Sequence, residues 1–329
     1  MNDSFRELEY NITSQDNGLT ARDIMAVRLC LSAREIARCK QFDDGVCLFR
    51  KESDISCRDV LPADSVVKGL TDKEGAYVPI KVRTIMLEGD VLRIRIHEDN
   101  DSAGDVIPSD LPIDIVYEDD DIILVNKPGD MVVHPSYAHY RDSLSNALAG
   151  YYEKTGQSHV VRTIGRLDRE TSGLIVFAKN RYSAALLSNQ RDNMSRRKEY
   201  LALVSGVFSE KEGTIDAPIG QEQGVRMIRK VMEDGKRAVT HYKVENQFED
   251  FALVRLHLDT GRTHQIRVHM SYLGHPLLGD NLYGKEIADS HGMTRAALHA
   301  AHLEFIQPVT KKALSFDVEL PEDMEKIIG

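Results

Sequence analysis

The feature that most constrains this sequence is a polar turn leading into a short, strongly apolar segment near its centre. Residues 174–178, Leu-Ile-Val-Phe-Ala, are rich in β-branched and aromatic side chains, which predicts a buried strand. The preceding residues 165–173 hold two arginines, an aspartate, a glutamate and two hydroxyl side chains. Reactive groups are often carried on such a turn, because a core strand holds it still. The sequence therefore predicts a candidate site centred on Asp168.

Asp168 lies between two cations, Arg166 and Arg169. A neighbouring positive charge favours the ionised carboxylate, the form that acts as a nucleophile or a base. The alternative is purely structural, since Asp and Thr commonly close polar turns and Thr171 follows three residues later. Spacing alone leaves both interpretations open.

The net charge of −10, from 42 basic and 52 acidic residues, is concentrated in one segment. No Lys or Arg occurs between Arg95 and Lys127. The acidic residues of that gap are Glu98, Asp99, Asp101, Asp105, Asp110, Asp114, Glu118, Asp119, Asp120 and Asp121. Their number equals the magnitude of the net charge, so acidic and basic residues are equal in number in the rest of the chain. The total therefore neither supports nor excludes a nucleic-acid substrate.

Composition and short motifs narrow the class of protein. No window approaches about 18 uncharged apolar residues, so no membrane span is expected. The N-terminus has no apolar core after a basic stretch, so no secretory signal is expected and a cytoplasmic location is predicted. The four cysteines form no Cys-x-x-Cys pair, which favours free thiols over a zinc cluster. Neither glycine-rich phosphate-loop pattern occurs, so a nucleotide cofactor is not expected.

The 329 residues suit one small and one large domain. We predict a small N-terminal domain over 1–96 with an insertion at about 51–80, an acidic linker over 97–110, and a large domain over 111–329. In the small domain, residues 1–20 are expected to be loosely ordered, and 21–40 have helical spacing with Ser32 as a second N-cap. A strand is expected from Val46 and another within 85–96.

In the large domain, alternating and helical patterns predict an α+β fold. Helices are predicted from Asp142 as N-cap to about Tyr152, over 181–191, and from Thr263 as N-cap. The predicted strands are 113–117, 122–126, 174–178, 200–204, 238–248, 251–258, a region within 295–305, and 314–320, with a mobile hairpin at 226–237. The expected fold is a mixed, mainly antiparallel sheet flanked by helices, plus a small N-terminal α+β domain.

Residues 166–174, Arg-Leu-Asp-x-x-Thr-Ser-Gly-Leu, resemble the catalytic motif of RluA-type pseudouridine synthases, which isomerise uridine in ribosomal or transfer RNA. Four other segments resemble family motifs and occur in the family's order. They are Asn-Lys-Pro with Val-His-Pro within 126–135, Lys-x-Tyr-x-Ala-x-Val-x-Gly at 198–206, Gly-Arg-Thr-His-Gln-Ile-Arg-x-His at 261–269 with Gly-His-Pro-Leu-Leu-Gly-Asp after it, and Leu-His-Ala at 298–300. Gly165 departs from the family, whose members often carry His there, and one residue is missing after Pro128.

The resemblance implies roles for individual residues. Asp168 would be the essential carboxylate, as a nucleophile or as a base on the sugar, and Arg262 would pair with it and keep it ionised. Tyr200 would stack on the uracil and help to remove the last proton. The implied substrate-binding residues are Arg166, which would fill the stack vacated by a flipped uridine, Ile266 as an apolar wall, and Thr171, His264 and Gln265. The reaction is an isomerisation, so no redox partner, metal or other cofactor is expected.

The resemblance also implies the partner, which is structured RNA of the ribosomal or transfer class, with a monomeric enzyme as the default. Residues 1–96 resemble, in degenerate form, the small RNA-binding domain of the S-four ribosomal-protein type. A domain with only a packing role is the alternative. For the whole chain, the alternative is a non-catalytic RNA-binding or ribosome-assembly protein that retained the fold. A metal site is disfavoured because His264 and His269, five residues apart, do not share a helix face.

Overall fold

The computed structural model describes residues 5–50, 77–98, 106–192, 196–221, 228–284 and 290–329. The chain divides into two compact units. One comprises Met1–Ser102 with Asn180–Tyr182, and the other comprises Ala103–Lys179 with Ser183–Gly329. Most of the predicted insertion at 51–80 and half of the predicted linker lie outside the described residues.

The first unit is built on a four-stranded antiparallel sheet with two short helices. Its elements are β1 (Phe5–Asn11), α1 (Ala21–Asp23) continuing as a π-helical segment (Ile24–Arg28), α2 (Ala33–Cys39), β2 (Val46–Phe49), β3 (Val78–Pro79) and β4 (Val91–His97). The strand order is β1-β4-β2-β3. The predicted N-cap is confirmed: the hydroxyl of Ser32 accepts from the amide of Glu35, and the Glu35 carboxylate accepts from the Ser32 amide.

The expectation that residues 1–20 are loosely ordered is wrong for β1. This strand pairs with β4 along its whole length, from Phe5 opposite His97 to Asn11 opposite Val91. Its polar residues do not signal disorder, because they face arginines across the pair. Glu9 contacts Arg93 at 2.9 Å and Glu7 contacts Arg95 at 2.8 Å, and opposite charges in register stabilise neighbouring strands.

The second unit contains one large sheet, a two-stranded sheet and four helices among its described residues. The strands are β5 (Ile115–Glu118), β6 (Ile122–Lys127), β7 (Arg162–Thr163), β8 (Ser172–Ala178), β9 (Arg197–Ser205), β10 (Glu212–Asp216), β11 (Ile219–Gln221), β12 (Arg229–Val231), β13 (Val239–Gln247), β14 (Phe251–Leu258), β15 (Leu298–Ile306) and β16 (Ala313–Asp317). The helices are α3 (Leu144–Lys154), α4 (Arg181–Asp192), α5 (Gln265–Tyr272) and α6 (Glu322–Ile328).

The large sheet has ten strands. Its order is β10-β13-β14-β9-β15-β8-β6-β5, with β16 added to β15 and β7 added to β8. β8 and β15 run parallel, whereas the other recorded pairs are antiparallel. The predicted α+β fold with a mixed, mainly antiparallel sheet is therefore confirmed.

Strand β8 lies in the core, and every residue in it is buried. Ile175 and Phe177 pack on one face of the sheet in a cluster with Leu144 and Leu148 of α3. Leu174 and Val176 pack on the other face, with Leu187 of α4. Because helices cover both faces, the strand is apolar throughout instead of alternating with polar residues.

Several predicted boundaries need correction. Helix α3 is capped by Ser143, not Asp142, since the Ser143 hydroxyl accepts from the amide of Asn146. Helix α5 begins at Gln265, and its N-cap is His264 in a left-handed conformation with φ of 57°, not Thr263. Helix α6 was not anticipated from the sequence. Its Met324 is fully buried against the sheet, a tertiary contact that seven residues of sequence do not reveal.

The hairpin predicted at 226–237 corresponds in part to β12, which pairs with β11. Residues 222–227 lie outside the described chain. Of the helices within the described ranges, none has the length and apolar character needed to cross a membrane.

Candidate active site

The turn that carries Asp168 is joined to the core strand β8 by a close approach of backbones. Ser172 and Gly173 lie beside His299 and Ala300 of β15. Gly173 has φ of 105°, and a Cβ there would lie 2.3 Å from the carbonyl oxygen of Ala300. Only glycine fits this position. The amide of Thr171 donates to the carbonyl of Asp168 at 3.1 Å, so the turn is also closed as its residue types predict.

Three buried cations hold the residues on the C-terminal side of Asp168, two through backbone carbonyls and one through a side chain. The ammonium of Lys127 donates to the carbonyl of Arg169 at 3.0 Å, and also to two carbonyls of its own segment at 2.7 and 2.8 Å. Nη1 of Arg295 donates to the carbonyl of Glu170 at 2.8 Å. Nη2 of Arg267 lies 3.1 Å from the Glu170 carboxylate. The position of the turn is therefore set by charged groups from three other segments.

The Lys127 side chain is fully buried, and the carbonyl groups around it compensate its positive charge. Burial, followed by the charge of Arg295, lowers the pKa of Lys127 to about 7. Its three carbonyl acceptors, however, equal the three protons of an ammonium group. The protonated form therefore satisfies the site better than the neutral amine, which has only two protons to donate.

All eight predicted site residues line one cavity of about 120 Å³. They are Arg166, Asp168, Thr171, Tyr200, Arg262, His264, Gln265 and Ile266. The cavity forms where the Asp168 turn, the start of β9 and the loop before α5 meet, and Leu258 and Leu298 add apolar wall. Segments separated by almost one hundred residues in sequence thus converge on a single site.

Arg262 does not form the expected ion pair with Asp168. Its side chain is exposed, and its Nε donates to the carbonyl of Arg237 at 2.9 Å. Within the described ranges, no ion pair joins it to Asp168. The physical reason is the late start of α5: the chain turns through the left-handed His264 before the helix begins, so Arg262 stays in the loop outside it.

Arg267, which sequence reasoning missed, is the buried guanidinium of the site. It makes a bidentate pair with Asp280 at 2.7 and 2.6 Å, and neither side chain is appreciably exposed. Burial opposes its charge, but the hydrogen bonds and charge of Asp280, then the charges of Glu170 and Asp168, raise the pKa of Arg267 overall. The sequence feature that could have identified Arg267 was its place inside the motif at 261–269, one residue after Ile266.

Tyr200 lies against two apolar clusters, where its ring forms a wall of the cavity. Burial raises the pKa of Tyr200 to about 12, with a smaller contribution from the charge of Asp168. The phenol is therefore protonated near neutral pH. Nζ of Lys198 lies 5.3 Å from the ring centroid, and burial, then the charge of Arg196, lowers the pKa of Lys198 well below its usual value.

Gln265 and His264 make contacts within the protein. The amide nitrogen of Gln265 donates to the carbonyl of Val239 at 2.9 Å, and its oxygen accepts from the amide of Arg262 at 3.0 Å. Gln265 thereby ties the start of α5 to β13. Nδ1 of His264 lies 2.9 Å from the hydroxyl of Tyr283. Roles for these two residues in substrate binding remain predictions.

A larger groove adjoins the cavity and is rich in cations. Its volume is about 910 Å³, and it shares Arg166, Tyr200 and Arg262 with the smaller cavity. It adds Arg196, Arg197 and Lys198 at the start of β9. Although the chain is acidic in total, this face concentrates positive charge, which is the distribution expected beside a polyanionic substrate.

The histidines of the motif at 261–269 do not form a metal-binding group. His269 is buried, with Nδ1 2.8 Å from the Thr240 hydroxyl and Nε2 2.9 Å from the Ala217 carbonyl. Among the described residues, the one group able to offer three ligand atoms within 4.8 Å of each other is His241, His257 and Asp259, outside the Asp168 cavity.

His299 supplies a pH-dependent contribution to stability. It is buried beside Ser172, whose hydroxyl lies 2.9 Å from its Nδ1, and burial, then the charge of Arg295, lowers the pKa of His299 to about 4 from the usual 6.5. Between pH 6.5 and 4 the unfolded state binds the extra proton, so stability falls as pH falls through this window, by about 3 kcal/mol. Urea unfolding at both pH values should show this loss in the wild type and not in His299→Gln. Equal losses in both proteins would contradict it.

Comparison with known proteins assigns the chain to a class. The sequence profile of the family described as RNA pseudouridylate synthase matches residues 121–272. The chain is 41% identical over 249 residues to the uncharacterized RNA pseudouridine synthase YjbO of Bacillus subtilis (strain 168), covering 76% of this chain and 87% of that protein. It is 40% identical over 255 residues to the ribosomal large subunit pseudouridine synthase D of Vibrio cholerae, covering 74% and 78%.

A solved structure agrees. The human RNA pseudouridylate synthase domain containing 1 is similar with a TM-score of 0.54 and 28% identity, over 63% of this chain and 83% of that one. The fold is thus that of an RNA-modifying isomerase. The chain belongs to the RNA pseudouridylate synthase family and is an enzyme that converts uridine in RNA to pseudouridine.

Proposed function

We propose that this enzyme modifies specific uridines in structured ribosomal RNA, with Asp168 as the reacting carboxylate. The observation that carries the proposal is the convergence of Asp168, Tyr200 and the buried Arg267 on one cavity beside a cationic groove. Ribosomal RNA is favoured over transfer RNA because a relative 40% identical over most of its length is named for the large ribosomal subunit. The proposed enzyme is a cytoplasmic monomer.

The reaction balances without a co-reactant. The bond from the sugar carbon C1′ to ring nitrogen N1 breaks, the uracil turns, and ring carbon C5 bonds to C1′. C5 loses its proton and N1 gains one, so product and substrate are isomers. An ionised carboxylate serves either route, by attacking C1′ or by removing a sugar proton. No metal or organic cofactor is therefore proposed.

We assign to Arg267 the role that the sequence suggested for Arg262. A cation favours ionisation of a nearby carboxylate only if water does not screen it, and Arg267 is buried whereas Arg262 is exposed. Arg267 is also held in place, since Nε and Nη2 of its guanidinium both donate to the Asp280 carboxylate. Arg262, at the boundary of cavity and groove, is better suited to an RNA phosphate.

Tyr200 is proposed to stack on the uracil, with Ile266 as an apolar wall. A phenol with a pKa of about 12 is protonated near neutral pH and cannot readily accept a proton, so stacking is its main contribution. Nζ of Lys198 lies 5.3 Å from the centroid of the same ring.

Arg166 lines both the cavity and the groove, which is where a side chain could replace a flipped base. Extruding a paired uridine costs a few kcal/mol, and a guanidinium that stacks in the vacated space lowers this cost. Arg166→Ala should therefore lose about ten-fold more activity on structured RNA than on an unstructured fragment with the same uridine. Equal losses on the two substrates would argue against the flipping role.

The test of the proposed substrate is a transcriptome-wide map of pseudouridine in a strain that lacks this gene. We expect one or a few ribosomal sites to revert to uridine, and the wild-type gene but not Asp168→Asn to restore them. Loss confined to transfer RNA would overturn the ribosomal assignment. An unchanged map would favour the non-catalytic RNA-binding alternative.

A further inference from the structure

The loop between β6 and α3 begins and ends beside the catalytic turn. Its two ends are joined by hydrogen bonds from the amide of Leu144 to the carbonyl of Val132 at 2.9 Å and from Ser145 to Val133 at 3.0 Å. At this base, Val133 packs in one cluster with Leu167, the residue before Asp168. Residues 134–143 therefore form a closed loop whose base touches the catalytic segment.

The tip of this loop is a tight and well-braced turn. Ser136 and His139 exchange both backbone hydrogen bonds, at 3.0 and 2.8 Å, and leave Tyr137 and Ala138 as the two turn residues. Ala138 has φ of 71°, a left-handed conformation that is disfavoured for a residue other than glycine. Its C-terminal flank is fixed, since Nδ2 of the Asn146 side chain donates to the carbonyl of Tyr140 at 3.1 Å. The backbone thus holds the side chains of the tip in place.

Two aromatic rings project from this rigid tip into solvent. Tyr137 is 92% exposed and Tyr140 is 62% exposed. In the described part of the chain, neither ring stacks on another aromatic ring or on a cation. Leaving large ring surfaces in water is unfavourable, and tyrosine loses little conformational entropy when a flat partner covers it. These rings are suited to a planar ligand.

The surroundings favour an anionic ligand. Arg141 follows the two tyrosines and is exposed, while the nearby carboxylate of Asp142 is paired with His139 at 2.8 Å. At the start of the loop, Val133 packs in one cluster with Leu167, which follows Arg166 in sequence, and burial, then the positive charge of Arg166, lowers the pKa of His134. A nucleic-acid strand combines flat bases with negative charge.

We propose that Tyr137 and Tyr140 form a stacking platform for an unpaired base of the RNA strand that flanks the target uridine. The proposal rests on RNA being the substrate, as proposed above. Extrusion of the uridine unpairs its surroundings, and aromatic side chains bind unpaired bases without sequence preference. The platform adds RNA affinity at a distance from the reacting atoms, so it acts on binding and not on the chemical step.

The test compares binding of a short fluorescein-labelled oligouridylate with binding of an RNA duplex of equal length. Tyr137→Ala should weaken binding of the single strand by about ten-fold and leave duplex binding unchanged, whereas Tyr137→Phe, which keeps the ring, should stay within about two-fold of wild type. Tyr272→Ala is the matched control, because Tyr272 is 64% exposed at the end of α5 and outside the loop. It should bind both RNAs as wild type does.

Activity on total RNA from the strain lacking the gene provides a second readout. We expect Tyr137→Ala to raise KM with kcat retained. Wild-type binding by Tyr137→Ala, an equal loss on the duplex, or a loss as large in Tyr137→Phe would each overturn the platform. The platform would also be overturned if Tyr137→Ala changed the oligomeric state and not the RNA affinity, because the tyrosines would then form a protein contact. If the wild type forms no pseudouridine, the proposed function fails, while the single-strand comparison still tests the platform.

Discussion

Asp168→Asn should reduce pseudouridine formation by at least about a thousand-fold while leaving the fold intact. The amide has the same shape as the carboxylate, but it can neither attack the sugar nor accept its proton. The fold should survive because the turn is held through backbone carbonyls of Arg169 and Glu170 and not through the Asp168 side chain. Initial rates on RNA from the strain lacking the gene would measure the loss, and circular dichroism would check the fold.

The matched control is Asp130→Asn. Asp130 is about half exposed beside the same turn, 3.9 Å from Arg169, and has φ of 57°, a conformation that asparagine tolerates. This variant removes one negative charge from the same region, and we expect activity within about three-fold of wild type. If both variants lost activity equally, the effect would be one of general electrostatics, and Asp168 would have no special role.

We expect Arg267→Gln to have the second large effect. It should lose more activity and more stability than Arg262→Gln. Removing one member of a buried ion pair leaves Asp280 uncompensated, which costs about 3–5 kcal/mol of unfolding free energy. The substitution also removes the buried cation near Asp168. We therefore expect kcat to fall by at least about a hundred-fold, the size of loss that follows removal of a preorganised charge. Arg262→Gln, at an exposed position, should change stability by less than about 0.5 kcal/mol and act mainly on KM.

Arg267→Lys distinguishes an effect on catalysis from an effect on folding, because it retains the charge but not the bidentate contact with Asp280. Where the positive charge is less well placed, kcat should fall by about ten-fold or more. Arg262→Lys should keep the kcat of the wild type. A loss of kcat in Arg262→Lys with none in Arg267→Lys would return the catalytic role to Arg262.

Much of the site was accessible from the sequence because the residues that carry chemistry lie in short motifs. All eight predicted residues line one cavity, although they come from three separate segments. What spacing could not supply was the direction of each side chain. Arg262 and Arg267 belong to the same motif, and only the start of α5 at Gln265 decides which is buried.

The elements that sequence patterns missed depend on distant partners. Strand β1 is polar and gains its order from arginines of β4, more than eighty residues away in sequence. Helix α6 is short and is fixed by burial of Met324. Lys127 was noted only as part of the motif within 126–135, yet it is fully buried and donates to the carbonyl of Arg169. In each case tertiary contacts outweigh local propensity.

The most direct measurement uses RNA labelled with tritium at C5 of uridine. Isomerisation replaces the C5–H bond with the new bond to the sugar, so each turnover must release one tritium to water. We expect the purified wild-type enzyme, with a chelator present and nothing else added, to release tritium in proportion to the pseudouridine formed, and Asp168→Asn to release none above background. Absence of release by the wild type, or equal release by the variant, would contradict the assignment of Asp168 as the catalytic carboxylate of this enzyme.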